Sequence, residues 1–133
     1  RAASLFSASL TSGTTADISV VLSAAAARCG IGVWTLRGTG GSGTASHTTT
    51  STSAPNALTL SIPADGAGLA CGFAGGASGL TWGGLTEDFD TDLEGQCITG
   101  AHKSVSSAEN TSVTLNSSGG SNPAMVAASW APV

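Results

Sequence analysis

The chain has 133 residues, enough to bury a core without a metal or disulfide, and is expected to form one domain spanning 1–133. Ser, Thr, Gly and Ala fill 78 positions and charged residues are 9%, which excludes disorder driven by self-repulsion and implies a thin, light core. The four basic residues Arg1, Arg28, Arg37 and Lys103 are scattered and the net charge is −4, so no positive footprint for nucleic acid can form, and no apolar run reaches the ~20 residues that span a bilayer.

In chain order, period-two alternation is the recurring signal. The opening "SLFSASL" (4–10) reads as a short strand, and "ADISVVLS" (16–23) sets Ala16, Ile18, Val20 and Leu22 against Asp17 and Ser19. The one helix-like run, "SAAAARC" (23–29), is too short to be stable alone and runs into Gly30. "CGIGVWTLR" (29–37) is apolar on both faces, with Ile31 and Val33 on one and Trp34 and Leu36 on the other. That strand is expected to lie under a second layer or to meet a neighbour. Residues 38–43 read as a Gly turn leading into a Thr-rich edge strand in "TASHTTT".

"NALTLSIP" (56–63) alternates Leu58, Leu60 and Ile62 with Thr59 and Ser61 and is stopped by Pro63, which cannot donate to a ladder. Further strands are expected in "GLACGFAG" (68–75), "GLTWGG" (79–84), "GQCITGAHKSV" (95–105), "TSVTLNS" (111–117) and "PAMVAASW" (123–130), with a surface turn at 116–123. Glycines within these runs, Gly30, Gly32, Gly68 and Gly72, call for bulky side chains over the bare backbone, and Trp34, Trp82 and Trp130 are available. The fold class that follows is all-β: an antiparallel, jelly-roll-like β-sandwich of eight to ten short strands.

Five of the eight acids fall in "EDFDTDLE" (87–94). Asp88, Asp90, Asp92 and Glu94 alternate as hard oxygen ligands for calcium would, but the EF-hand spacing fails: Leu93 stands where Gly is needed and Thr99 where Glu is needed. The plainer reading is a solvated connection after the Trp82 strand, anchored by Phe89 and Leu93. His47 and His102 read as surface residues, and no nucleophile, base and orienting group assemble, so no catalytic residue or enzyme is expected and calcium is the one cofactor considered. Cys29, Cys71 and Cys97 lack CxxC spacing; alternation puts Cys29 beside Ile31 and Val33, and Cys71 beside Leu69 and Phe73, so both are expected to be buried. Outside a cell, one pair could bridge and leave a thiol for a neighbouring subunit. The sequons at Asn110 and Asn116 are of a kind that arises by chance in so Ser- and Thr-rich a chain.

"WGGLTEDFD" (82–90) and "NPAMVAASWAPV" (122–133) resemble small Ser/Thr/Gly/Ala-rich β-sandwich domains of tailed-bacteriophage and prophage structural proteins, which decorate capsids or form fibre, collar or tail-surface modules. The resemblance carries over no catalytic or binding residue. It implies a non-enzymatic domain at a virion surface or otherwise extracellular, a homo-oligomer that binds other virion structural proteins, with a host surface glycan as a further partner and no nucleic acid or membrane. The chain opens on Arg1 and its only methionine is Met125, as expected of a processed product or a piece of something longer. The rival expectation is a carbohydrate-binding or adhesin module displaying Trp34, Trp82 or Trp130.

Overall fold

The computed structural model describes residues 3–9, 15–26, 28–40, 45–50, 56–76, 79–119 and 123–133, with only the backbone of 45–50. The described residues contain no helix and eight strands: β1 (Ala45–Thr50), β2 (Asn56–Ile62), β3 (Ala67–Gly75), β4 (Leu80–Gly83), β5 (Thr86–Asp92), β6 (Gln96–Ser104), β7 (Glu109–Ser117) and β8 (Ala124–Trp130). They form two antiparallel sheets, of order β1-β8-β3-β6-β5 and β2-β7-β4.

The two sheets share one core, and they contribute to it unequally. The three-stranded sheet supplies the bulk: Leu58, Leu60 and Ile62 from β2, Leu80 and Trp82 from β4, Val113 and Leu115 from β7. The facing sheet answers mostly with small residues, Ala70 and Ala74 from β3, Cys97 and Ala101 from β6, and Ala127 beside Met125 from β8. Large side chains on one layer fit bare backbone on the other: Leu115 and Trp82 close over Gly72, and Leu60 and Ile62 over Gly68, where a Cβ would stand 2.8 Å and 2.9 Å from their methyl groups. This is the compensation the in-strand glycines required, with leucine and isoleucine sharing the task with tryptophan. Each fully buried aliphatic side chain contributes ~1.5–3 kcal/mol relative to exposure.

Bonds from side chains sew the edges of the small sheet to the large one. On the β4 side, Asp90 of β5 accepts from Leu80 N–H at 2.9 Å. On the β2 side, Ser129 of β8 donates to the Ser61 carbonyl at 2.7 Å, and the buried Asn56 amide donates to the Pro123 carbonyl. Lys103 of β6 pairs with Glu109 of β7, holding that carboxyl below its usual range through the hydrogen bond. Of the backbone groups that an open edge would offer to another chain, these bonds occupy the Leu80 N–H and the Ser61 carbonyl.

Three expectations are corrected. Residues 4–9, 16–22 and 29–37 form no strand and pair with none of the described strands; alternation gives a chain a buriable face but not a ladder partner. The acidic stretch is strand β5 rather than a loop, because a two-residue hairpin at Glu94-Gly95, both with positive φ (53° and 77°) and with a Leu93 N–H to Gln96 O bond of 2.7 Å, turns it straight back onto β6. Cys29 is exposed, since its row points away from the sheet. Trp82 and Trp130 serve the core rather than a displayed platform, both being buried. The Thr-rich edge strand is present as β1, while residues 41–43 of the expected Gly turn, 120–122 of the later turn, Ala27 of the helix-like run and the side chain of His47 lie outside the described residues.

Candidate functional site

The outer face of the five-stranded sheet carries a second, smaller cluster. Leu69, Ala128 and Trp130 are buried there under Leu5, Trp34 and Leu36 of the N-terminal segment. This cover is why all seven residues of β8 are buried, one face by the core and the other by the segment crossing above it. We call residues 28–37 the strap. Its alternate residues turn inward: Gly30 lies over Ile98, Gly32 over Phe89, and Trp34 over Gly100.

Gly100 is where the strap comes closest. A Cβ there would collide with both the Trp34 and Phe89 rings, which stack at a centroid distance of 5.6 Å. The strap therefore seats as a ring-on-backbone contact that only glycine permits.

Asp88, Asp90 and Asp92 of β5 and Glu94 of the hairpin after it each meet a different partner. The Asp88 carboxylate takes the Trp34 indole N–H at 2.7 Å and, on its other oxygen, lies 2.5 Å from His102 Nδ1, which carries the hydrogen because a carboxylate only accepts. Glu94 pairs with Arg28, whose Nε also donates to the Leu93 carbonyl at 3.3 Å. Asp90 holds β4 through Leu80 N–H, and Asp92 caps the hairpin by accepting from Gly95 N–H at 2.6 Å. Alternate residues of one strand point to opposite faces, and a bulge between Glu87 and Phe89 shifts Asp88 out of phase with Asp90 and Asp92. Among the described residues no three His, Cys, Asp or Glu side chains gather as cation ligands. His102 meets one carboxylate, Asp88.

Beneath this, Trp82 donates its indole N–H to Thr99 Oγ1 at 2.8 Å, and Thr99 donates to the Phe89 carbonyl at 2.8 Å. A buried indole N–H thus finds its partner on the facing sheet. The thiols differ sharply. Cys29 is exposed on the strap, Cys97 is buried in the core, and Cys71 lies under the N-terminal segment, donating to the Ser4 carbonyl at 3.5 Å. Burial pushes the Cys71 thiol up to about 11. Burial, with the Asp90 and Asp92 carboxylates, also pushes Cys97 up.

At the far end of the strap, Thr39 bridges Pro132, and Gly40 N–H donates to the Ala131 carbonyl at 2.9 Å, clasping the strap to the end of β8. A groove of ≈ 610 Å3 opens beside this clasp, lined by Thr35, Arg37, Asp65, Ser104 and Ser106 among others.

The strap and its acid tethers were not read from sequence. Two signals could have found them: Glu-Gly at 94–95 as a hairpin turn, which makes the acids a strand, and the Gly-x-Gly-x-Trp spacing of 30–34, which leaves one side of an extended chain bare up to an aromatic ring. Comparisons with protein-family models, curated proteins and solved structures found no match.

Proposed function

We propose that this chain is a non-enzymatic structural module of a phage-like virion surface, a decoration or cement protein or a fibre or tail-surface module, that works by self-association and by seating on an underlying protein lattice. The observation that carries the reading is the placement of apolar surface. Of the eight large apolar side chains exposed among the described residues, Phe6, Ile18, Val20, Val21, Leu22, Ile31 and Val33 lie within the first 33 residues and the eighth is Val133, while the strands of the two-sheet body keep theirs covered or half-buried. Exposed apolar surface concentrated in one stretch of the chain suits a protein interface.

The strand order supports a jelly-roll reading. An eight-stranded jelly roll runs 1-8-3-6 in one sheet and 2-7-4-5 in the other; here β1-β8-β3-β6 and β2-β7-β4 keep that order, and β5 has moved across to β6 because of the Glu94-Gly95 hairpin. Jelly rolls serve in viral capsids and in lectins, so the fold alone assigns no function. The virion setting rests on the Ser/Thr/Gly/Ala texture of 82–90 and 122–133. Size-exclusion chromatography with light scattering from micromolar to millimolar concentration tests the reading: concentration-dependent association is expected, and a strict monomer throughout would overturn it.

A second reading, an extracellular carbohydrate-binding or adhesin module, draws on the groove where Arg37 and Asp65 stand among hydroxyls. No tryptophan is displayed for it, because Trp82 and Trp130 are buried and Trp34 turns inward. Glycan-array binding lost on Arg37→Ala would favour it.

A further inference from the structure

We infer that the strap is a hinged cover: residues 28–37 swing at Gly38 about the clasp that follows it, and Asp88 and Glu94 latch them shut over the outer face of the five-stranded sheet. The device operates within one molecule and is independent of the self-association reading.

The strap is attached differently at its two ends. From Gly38 onward it is held by backbone: Val133 N–H donates to the Gly38 carbonyl at 3.0 Å, Gly40 N–H donates to the Ala131 carbonyl at 2.9 Å, and Thr39 bridges Pro132 between them. Before Gly38 that support stops. Residues 29–37 share no backbone hydrogen bond with any described residue. They are held through side chains, the Trp34 indole on Asp88 and Leu36 in the outer cluster, with Arg28 paired to Glu94 at the start. Gly30 and Gly32 bring no side chain to the contact, so Trp34 and Leu36 carry its apolar part. The Arg28 and Glu94 side chains are 40% and 81% exposed, and a pair so open to water holds weakly.

Between the two modes of attachment stands the residue a hinge needs. Gly38 has a φ of 67°, and a Cβ built on it would meet nothing within 4 Å. Its backbone turns to other values without a side chain to obstruct it, and no neighbour blocks the turn. Opening breaks no ladder of either sheet, since those pairs lie within β1 to β8. It uncovers Phe89 and Ile98, and the side of the Leu69, Ala128 and Trp130 cluster on which Trp34 and Leu36 sit. Local opening of this kind draws on the least supported part of a structure and leaves the body folded.

The test places one thiol under the strap beside one in the core. Ile98→Cys in a Cys29→Ser/Cys71→Ala background puts a reporter beneath Gly30, next to native Cys97, which is buried on the core face. Iodoacetamide labelling, resolved by fragment mass spectrometry, is expected to be faster at 98 than at 97 and to rise less steeply with denaturant, because opening exposes little surface and unfolding exposes much. Adding Asp88→Ala is expected to speed labelling at 98 by about tenfold. Gly38→Ala is expected to speed it severalfold, because the side chain is strained at positive φ while the strap is closed and relieved when it opens. Hydrogen exchange in the same low denaturant should leave the Gly40 and Val133 amides protected. Labelling of 98 and 97 in step at every denaturant concentration would overturn the inference, as would labelling at 98 indifferent to Asp88→Ala. No effect of Gly38→Ala at 98, or loss of the Gly40 and Val133 protection in step with labelling there, would remove the hinge and overturn it too.

Discussion

The indole of Trp34 donates to the carboxylate of Asp88 at 2.7 Å across 54 positions of chain, tying the N-terminal strap to the strand that carries half of the protein's eight acids. His102 holds the second oxygen of that carboxylate, so one side chain on a bulged strand joins the strap, β5 and β6. The acidic stretch is thereby a set of tethers.

Asp88→Ala removes acceptors for both Trp34 and His102. A stability loss of ~1–3 kcal/mol is expected from denaturant titration, with a red shift in the Trp34 contribution to fluorescence. Trp34→Phe, which keeps the ring and loses only the N–H, is expected to cost less than Asp88→Ala.

Gly100→Ala places a methyl group against the Trp34 and Phe89 rings. Overpacking of this kind costs ~1–3 kcal/mol. The strap should give way before the core does, so limited proteolysis is expected to cleave within 28–37 faster than in wild type while the two-sheet body persists.

Thr99→Val keeps shape but leaves the buried Trp82 N–H without its acceptor and the Phe89 carbonyl without its donor. A loss of ~1–3 kcal/mol is expected. Adding Trp82→Phe to that variant should cost less than it does in wild type, the sign of a coupled pair in a double-mutant cycle.

The thiols give a pH signature. With Cys71 raised from an ordinary 9.0 to about 11, the folded state keeps a proton that the unfolded state has lost between those values. The Cys71 contribution is therefore fully present below pH 9 and declines as pH rises towards 11, by on the order of 2 kcal/mol. Denaturation at stepped pH is expected to show that fall, and Cys71→Ala to flatten it. Iodoacetamide at mildly alkaline pH should label exposed Cys29 well ahead of Cys71, read by mass spectrometry.

Calcium titration by calorimetry near neutral pH is expected to give no heat, because Asp88, Asp90, Asp92 and Glu94 each meet a different partner. Asp90→Asn, which keeps an acceptor for Leu80 N–H, should be tolerated better than Asp90→Ala.

Alternation alone marked the body of the fold. Leu58, Leu60 and Ile62 on one side and Thr59 and Ser61 on the other alternate buried and exposed along β2 as read, because a strand's side-chain period is fixed by its backbone and Pro63 ends it for a local reason. The in-strand glycines likewise announced close packing before any partner was known. Their partners were not legible: nothing local in Gly72 says that Leu115, 43 positions on by number, will fill its place.

What only the tertiary structure decided is which alternating segments find a ladder and what the acids hold. "ADISVVLS" and "NALTLSIP" are equally good strands by pattern, yet the second pairs with β7 along Asn56–Ile62 and the first pairs with none of the described strands. Pairing is a relation between segments far apart in sequence, and a period carries no information about the other member. The same holds for Asp88: carboxylate spacing sets which ligands are possible, while a bulge, a glycine at 100 and a strap arriving from residue 34 determine that the charge is spent on an indole and an imidazole.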